Sequence, residues 1–293
     1  MLGYFLGFGL MLIGQEPPPL KTINTKLGLV NRAYFMKTHQ LTRLDGKVFK
    51  LKTYTPKITP LGLVVISPGA GGSENGYRYL ADYFSNRGYM VGVMEHLESN
   101  LKSLRAHTKG RGLKKGLEEM VTNPLSYQGR MMEIREVLNW AKGIVGGPRI
   151  LVGHSMGAAT VMIEAGAISR LFIEGKDQFN AYVALSPQGP GLLFPDNAWS
   201  GIEKPMLLIT GTEDHGLDSD WRTRLWSFEN MKPGTQKWLG VIEGATHMNL
   251  AGVGLSRKPE WFVVELLDLF FQTHTGGKLV NLTTSKEIKL TIK

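Results

Sequence analysis

From about residue 60 onward the chain alternates short apolar runs with longer amphipathic stretches, and this alternation limits the folds open to it. Leu61–Ile66, Tyr89–Met94, Arg149–Val152, Ala181–Leu185, Pro205–Thr210 and Trp238–Ile242 are rich in Val, Ile and Leu. Each is strand-length and bounded by Gly, Pro or Ser. Helix-like stretches near residues 75–86, 126–142, 155–168, 218–230 and 260–272 separate them. Strands that are apolar throughout need cover on both faces. The order therefore predicts an α/β fold, a mostly parallel central sheet with helices on both sides. Ahead of it, Leu41–Thr55 sets Asp45-Gly46 between alternating runs, which predicts an antiparallel hairpin at the start of the sheet.

At 293 residues, with 42% apolar and 20% charged side chains, the chain can bury the core of one large domain. The main domain is expected over residues 40–273. Residues 1–20 are read as an apolar N-terminal segment and proline-rich linker, and 276–293 as an extended basic tail. Met1–Gly14 is too short to cross a bilayer as a helix. It resembles the core of a signal peptide but lacks the basic start and the small-residue cleavage site, and a packed N-terminal segment fits equally well. Localisation stays open between cytoplasm and export.

The absence of cysteine excludes a disulfide scaffold, a thiolate zinc site and a cysteine nucleophile. The net charge of +9 includes a basic run, Lys109–Lys115, read as a solvated loop because no aromatic residue interleaves with it. No nucleic-acid partner is expected; attraction to a membrane surface stays open, as does the oligomeric state.

Arg149–Thr160 is an apolar strand, a Gly153-His154-Ser155-Met156-Gly157 turn and a helix start rich in small residues. A serine on such a strand-to-helix turn is held under strain at the sheet edge, and its glycine neighbours let the backbones approach closely. Ser155 is the candidate nucleophile, whereas His154 is expected to point away from it in a structural role. Serine needs a base to take its proton. Where the order along the chain is serine, acid, histidine, His215, His247 and His274 remain. His274 lies in the polar end of the chain and His215 abuts the best acid. His247 follows the strand Trp238–Ile242 directly and is the candidate base. Pro205–Thr210 runs through Gly211 to Asp214, the candidate acid, whose bland alternative is a helix cap.

Leu63–Ser73 is a strand entering a glycine loop. Glu74 stands where a dinucleotide fingerprint needs glycine, and the loop lacks the lysine of a phosphate-binding loop. Such a loop supplies one backbone N–H to an oxyanion, and the residue after the nucleophile supplies another; Ala70 and Met156 are the candidates. The long segments Leu97–Asn123 and Gln188–Gly201 are expected to wall the substrate pocket, with Leu193, Phe194 and Trp199 as apolar lining.

With these residues in hand, the chain resembles the α/β-hydrolase superfamily over roughly residues 40–273, in particular its dienelactone-hydrolase-like and platelet-activating-factor-acetylhydrolase-like serine esterases. Gly76–Phe84, Gly88–Gly92, Ala184–Gly189 and Gly244–Met248 also look like segments of that family. The resemblance implies hydrolysis of a small-molecule or lipid-like carboxylic ester through an acyl-enzyme, with no metal or organic cofactor. Acyl transfer, amide cleavage or a silent binding role are the alternatives. Two departures matter. Many relatives have His-Gly where this chain has Pro68-Gly69, and true dienelactone hydrolases use a cysteine that this chain lacks.

Overall fold

The computed structural model describes residues 34–216, 219–234, 236–276 and 284–293. The N-terminal segment and linker expected over residues 1–20 lie outside the described residues. The described residues open with β1 (Tyr34–Thr42) and β2 (Val48–Pro56), the antiparallel hairpin expected from Asp45-Gly46, where Gly46 takes φ +81°. Then come β3 (Leu63–Ser67), α1 (Arg78–Asn86), β4 (Met90–Met94), α2 (Leu101–Thr108), α3 (Leu113–Val121) and α4 (Pro124–Ala141). The next elements are β5 (Arg149–His154), α5 (Met156–Glu164), β6 (Ala181–Leu185), β7 (Met206–Glu213) and α6 (Leu225–Glu229). The chain closes with β8 (Lys237–Thr246), α7 (His247–Leu250), α8 (Lys258–Gly276) and β9 (Ile288–Ile292).

The sheet order is β1-β2-β4-β3-β5-β6-β7-β8-β9. Strands β4 to β8 pair in parallel through β3, and β1, β2 and β9 run antiparallel at the two edges. This is the α/β-hydrolase fold that the resemblance implied, with the mostly parallel sheet that the alternation of runs predicted.

The inner strands are apolar throughout because successive side chains feed opposite layers. Leu63 and Val65 pack with Leu151, Tyr182 and Leu208 against α4 and α5. Val64 and Ile66 pack with Val152, Val183 and Ile209 against α1 and α8. β3 lies between β4 and β5, so the chain leaves it in opposite directions. A ligand crevice forms at such a switch point, outside the carboxyl ends of the strands.

Three elements differ from the reading of the sequence. The segment 97–123, expected as a long loop, holds a 3₁₀ turn and the helices α2 and α3. α2 buries none of its residues, so it carries no apolar stripe for a periodicity to reveal. The helix expected over 218–230 is a 3₁₀ turn, Trp221–Arg224, capped by Asp220 and followed by the short α6. The end of the chain, read as a tail, contributes β9 along the β8 edge, with Ile288 buried and Lys293 Nζ bonded to the carbonyls of Phe228, Glu229 and Met231. Truncation before Ile288 is therefore expected to cost about 2–4 kcal/mol of stability, measured by denaturant unfolding.

Candidate active site

Ser155 sits between β5 and α5 with φ 56° and ψ −119°, a conformation that costs a non-glycine residue energy. The turn is packed too closely for side chains on either flank. A Cβ on Gly153 would overlap the Gly157 carbonyl, and one on Gly157 would overlap the carbonyl of Ser67 at the end of β3. Ser155 N–H donates to Leu185 O of β6 at 2.9 Å, which ties the turn to the neighbouring strand. The Ser155 hydroxyl makes no hydrogen bond among the described residues.

Asp214 follows β7 and His247 opens α7. The two strands that deliver them, β7 and β8, approach so closely near Gly211 that a Cβ there would overlap Ala245. His247 Nδ1 lies 2.8 Å from Asp214 Oδ1. A carboxylate can only accept, so the ring carries its proton on Nδ1 and leaves Nε2 as an acceptor. Thr246 and Asn249 form a capping box around the first turn of α7 and hold the backbone at His247. Asp214 is fully buried, and its other oxygen accepts from Ser186 Oγ at 2.6 Å and Thr210 Oγ1 at 2.9 Å. Burial pushes the Asp214 carboxyl upward, but the His247 hydrogen bond and the charge of Arg224 outweigh it and hold the group below its ordinary value.

Arg224, in the 3₁₀ turn before α6, organises this corner. Its Nε donates to Asp214 O at 2.6 Å and lies 3.1 Å from Oδ2. Its Nη atoms reach the carbonyls of Ser186, Pro187 and His215. One guanidinium thus joins the loops after β6 and β7. His215 and Glu213 face outward, 3.4 Å apart.

His154 is buried between the two halves of the site. Its Nε2 donates to His247 O at 3.0 Å, and the two imidazole rings lie 4.7 Å apart. Its Nδ1 accepts from Tyr77 Oη at 3.0 Å, and that oxygen accepts from Gly69 N–H at 2.9 Å. A direct line of hydrogen bonds therefore runs from the glycine loop to the backbone of His247. Burial, with a further contribution from His247, lowers His154 to about 3, so its ring is neutral near pH 7.

The glycine loop lies against the turn, since a Cβ on Gly69 would sit 3.3 Å from Ser155 Cβ. Gly71 N–H donates to Ser99 O at 2.8 Å and Gly72 N–H to Gly69 O at 3.1 Å. Among the described residues, the N–H groups of Ala70 and Met156 donate to nothing. Leu104 of α2 packs over Gly71, so α2 forms a roof beside the loop. Of the residues expected to line a pocket, Leu193 is nearly buried and Phe194 and Trp199 fully so. Trp199 Nε1 donates to Met162 Sδ at 3.2 Å, so these side chains pack on α5, the helix that follows Ser155. No group of three or more metal-ligating side chains occurs among the described residues, and none of their helices is long and apolar enough to cross a membrane.

Sequence reasoning did not single out Arg224, Tyr77, Ser186 or Thr210. Arg224, Tyr77 and Ser186 meet the site from other elements, Thr210 from the strand that carries Asp214, and no local pattern distinguishes them.

No family model matches the chain. It is similar to the monoglyceride lipase homolog of monkeypox virus, with 26% identity over 155 residues, 52% of this chain and 48% of that one. It is also similar to human monoglyceride lipase, with 25% identity over 190 residues, 61% of this chain and 58% of that one. The chain thus spans about half the length of the curated relatives it matches. Fold and relatives together support the α/β-hydrolase superfamily, without distinguishing the dienelactone-hydrolase-like branch within it.

The buried histidine carries a stability prediction. An imidazole kept neutral in the fold, yet free to protonate when unfolded, has no such cost above pH about 6.5; the cost grows as the pH falls toward about 3. His154→Gln is expected to flatten the acid limb of the stability curve by up to about 1.4 kcal/mol per pH unit between about pH 4 and 6, read by urea unfolding at stepped pH.

Proposed function

We propose that this protein is a serine hydrolase that cleaves carboxylic esters through an acyl-enzyme on Ser155. His247 Nε2 takes the serine proton as Oγ attacks the acyl carbonyl, and Asp214 stabilises the resulting imidazolium. The N–H groups of Ala70 and Met156 receive the negative charge on the carbonyl oxygen. Collapse of the tetrahedral intermediate breaks the bond to the alcohol, which leaves with the proton from His247. Water then enters, His247 removes its proton, and attack on the acyl-enzyme frees the acid and restores Ser155. No metal or organic cofactor takes part in this sequence.

The observation that carries the reading is the pairing of half-buried His247 with fully buried Asp214 at 2.8 Å, held through His154 beside a strained serine whose flanking loops leave two N–H groups unused. The names of the relatives, both monoglyceride lipases, favour a lipid-like ester as substrate. Half-buried Leu97 and Leu104, which pack in one cluster with Ala70, agree with an apolar acyl group near the loop. Within the superfamily, the sequence motifs favour the dienelactone-hydrolase-like and platelet-activating-factor-acetylhydrolase-like esterases.

A fluorophosphonate probe is expected to label the wild-type protein and to leave Ser155→Ala unlabelled; equal labelling of both would remove Ser155 from the role. On p-nitrophenyl esters of rising chain length, Ser155→Ala and His247→Ala are expected to lower kcat by at least about 10⁴-fold, and Asp214→Asn by about 10³–10⁴-fold.

A further inference from the structure

We infer that Arg130 is a positioning residue for the oxyanion loop, clamping both flanks of the unpartnered Ala70 N–H. The inference rests on the reading of Ala70 as an oxyanion donor.

Arg130 lies on α4, far in sequence from the loop, and its guanidinium is buried. Burying that charge is costly unless it is paired, yet Arg130 forms no ion pair among the described residues. The nearest carboxylate on its own helix, Glu133, is engaged by Arg43 at 3.0 Å and His96 at 2.6 Å. What Arg130 binds instead is neutral: the start of the loop at Ser67 and Pro68, Ser99 of the 3₁₀ turn before α2, and Thr160 of α5. Nη1 donates to Pro68 O at 2.8 Å, and weakly to Ser67 Oγ and Thr160 Oγ1. Nη2 and Nε donate to Ser99 Oγ at 2.7 and 3.1 Å.

These contacts bracket Ala70. In the peptide unit between Pro68 and Gly69, the oxygen is held by Arg130 and the N–H by Tyr77 Oη, so its plane cannot rotate. On the other side, Ser99 takes two hydrogen bonds from Arg130 on its hydroxyl and one from Gly71 N–H on its carbonyl. Gly69 O is taken by Gly72 N–H. The Gly69 N–H, the Gly69 carbonyl and the Gly71 N–H that flank the Ala70 N–H are all occupied, and one cation anchors the segments on both sides. An arginine that only stapled α4 to β3 would have no reason to hold both the Pro68 carbonyl and the Ser99 residue that receives the Gly71 N–H. Fixing the donor before the oxyanion forms is where such a clamp acts, because a pre-aligned dipole needs no reorganisation in the transition state.

The test compares wild type, Arg130→Met, Arg130→Lys, Ser99→Ala and the Arg130→Met/Ser99→Ala double variant. Steady-state kinetics on a short p-nitrophenyl ester are combined with amide 1H–15N spectra. Arg130→Met is expected to lower kcat about 100-fold with KM within about twofold of wild type, and Arg130→Lys to recover part of the loss. Ser99→Ala is expected to lower kcat about tenfold, and the double variant to fall no further than Arg130→Met, because both act through one contact. The Ala70 and Gly71 amide resonances are expected to move in both single-site neutral variants, and that of Met156 to move less.

A folded Arg130→Met protein with kcat within about threefold of wild type, a loss confined to KM, or an unmoved Ala70 resonance would overturn the clamp. If Arg130→Met does not fold, Ser99→Ala decides by the same two readouts. Hydrolysis that survives Ser155→Ala would remove the ester-hydrolase reading instead, while the Ala70 resonance, which needs no turnover, still judges the clamp.

Discussion

The parallel pairing of β3 with β5 is the contact on which the site depends. Ser67 pairs with Gly153 at the ends of these strands, so the glycine loop and the turn at Ser155 leave the sheet side by side. The approach is closer than any side chain allows, which is why Gly153 and Gly157 flank the serine. Steric packing of backbone against backbone, rather than a hydrogen bond to the serine, brings Ser155 beside the loop. Because β3 is also the point where the chain changes direction in the sheet, that closeness falls at the topological switch point, beyond the carboxyl ends of the strands.

Around this contact, buried polar and ionisable groups are arranged on two sides of the serine. On one side, Arg43, Glu133, His96, Ser67 and Arg130 are linked by hydrogen bonds beneath the glycine loop. Burial pushes Glu133 up to about 8 and holds His96 well below its ordinary value. On the other side, Arg224 and Asp214 meet at the ends of β6 and β7. Each side uses an arginine to hold main-chain carbonyls of loops beyond the carboxyl ends of the strands. Such loops cannot be fixed by sheet pairing, because they lie beyond the last ladder bond. Side chains that donate several hydrogen bonds in a fixed fork meet that need better than lysine could. The Tyr77–His154 line then connects the two sides through the core.

The strand–helix order, the hairpin and the positions of most strands were legible because burial on both faces writes itself as uninterrupted Val, Ile and Leu runs. Ser155 was legible because its turn needs glycine at fixed offsets. Asp214 and His247 were candidates by their place after strands, and the fold brings the two to 2.8 Å; His154 was read as structural without its partners. α2 was not legible, since it buries none of its residues, whereas α3 carries an apolar stripe at helical spacing, Leu117, Met120 and Val121, in too short a run to stand out from a loop. β9 was hidden for the opposite reason. An edge strand with one buried position, Ile288, amid lysines reads as a polar tail until a neighbouring edge is there to receive it.

What the sequence determined on its own was local: where strands run, where glycine permits a strained serine, and which histidine and aspartate end the later strands. Only the tertiary structure decided which distant groups serve them. Arg130 comes to Pro68 from α4, Arg224 to Asp214 from a turn before α6, and Tyr77 to His154 across the sheet edge. Their spacing in the chain carries no period and no motif, because a buried hydrogen bond is selected by geometry in three dimensions and by the cost of leaving a polar group unpaired.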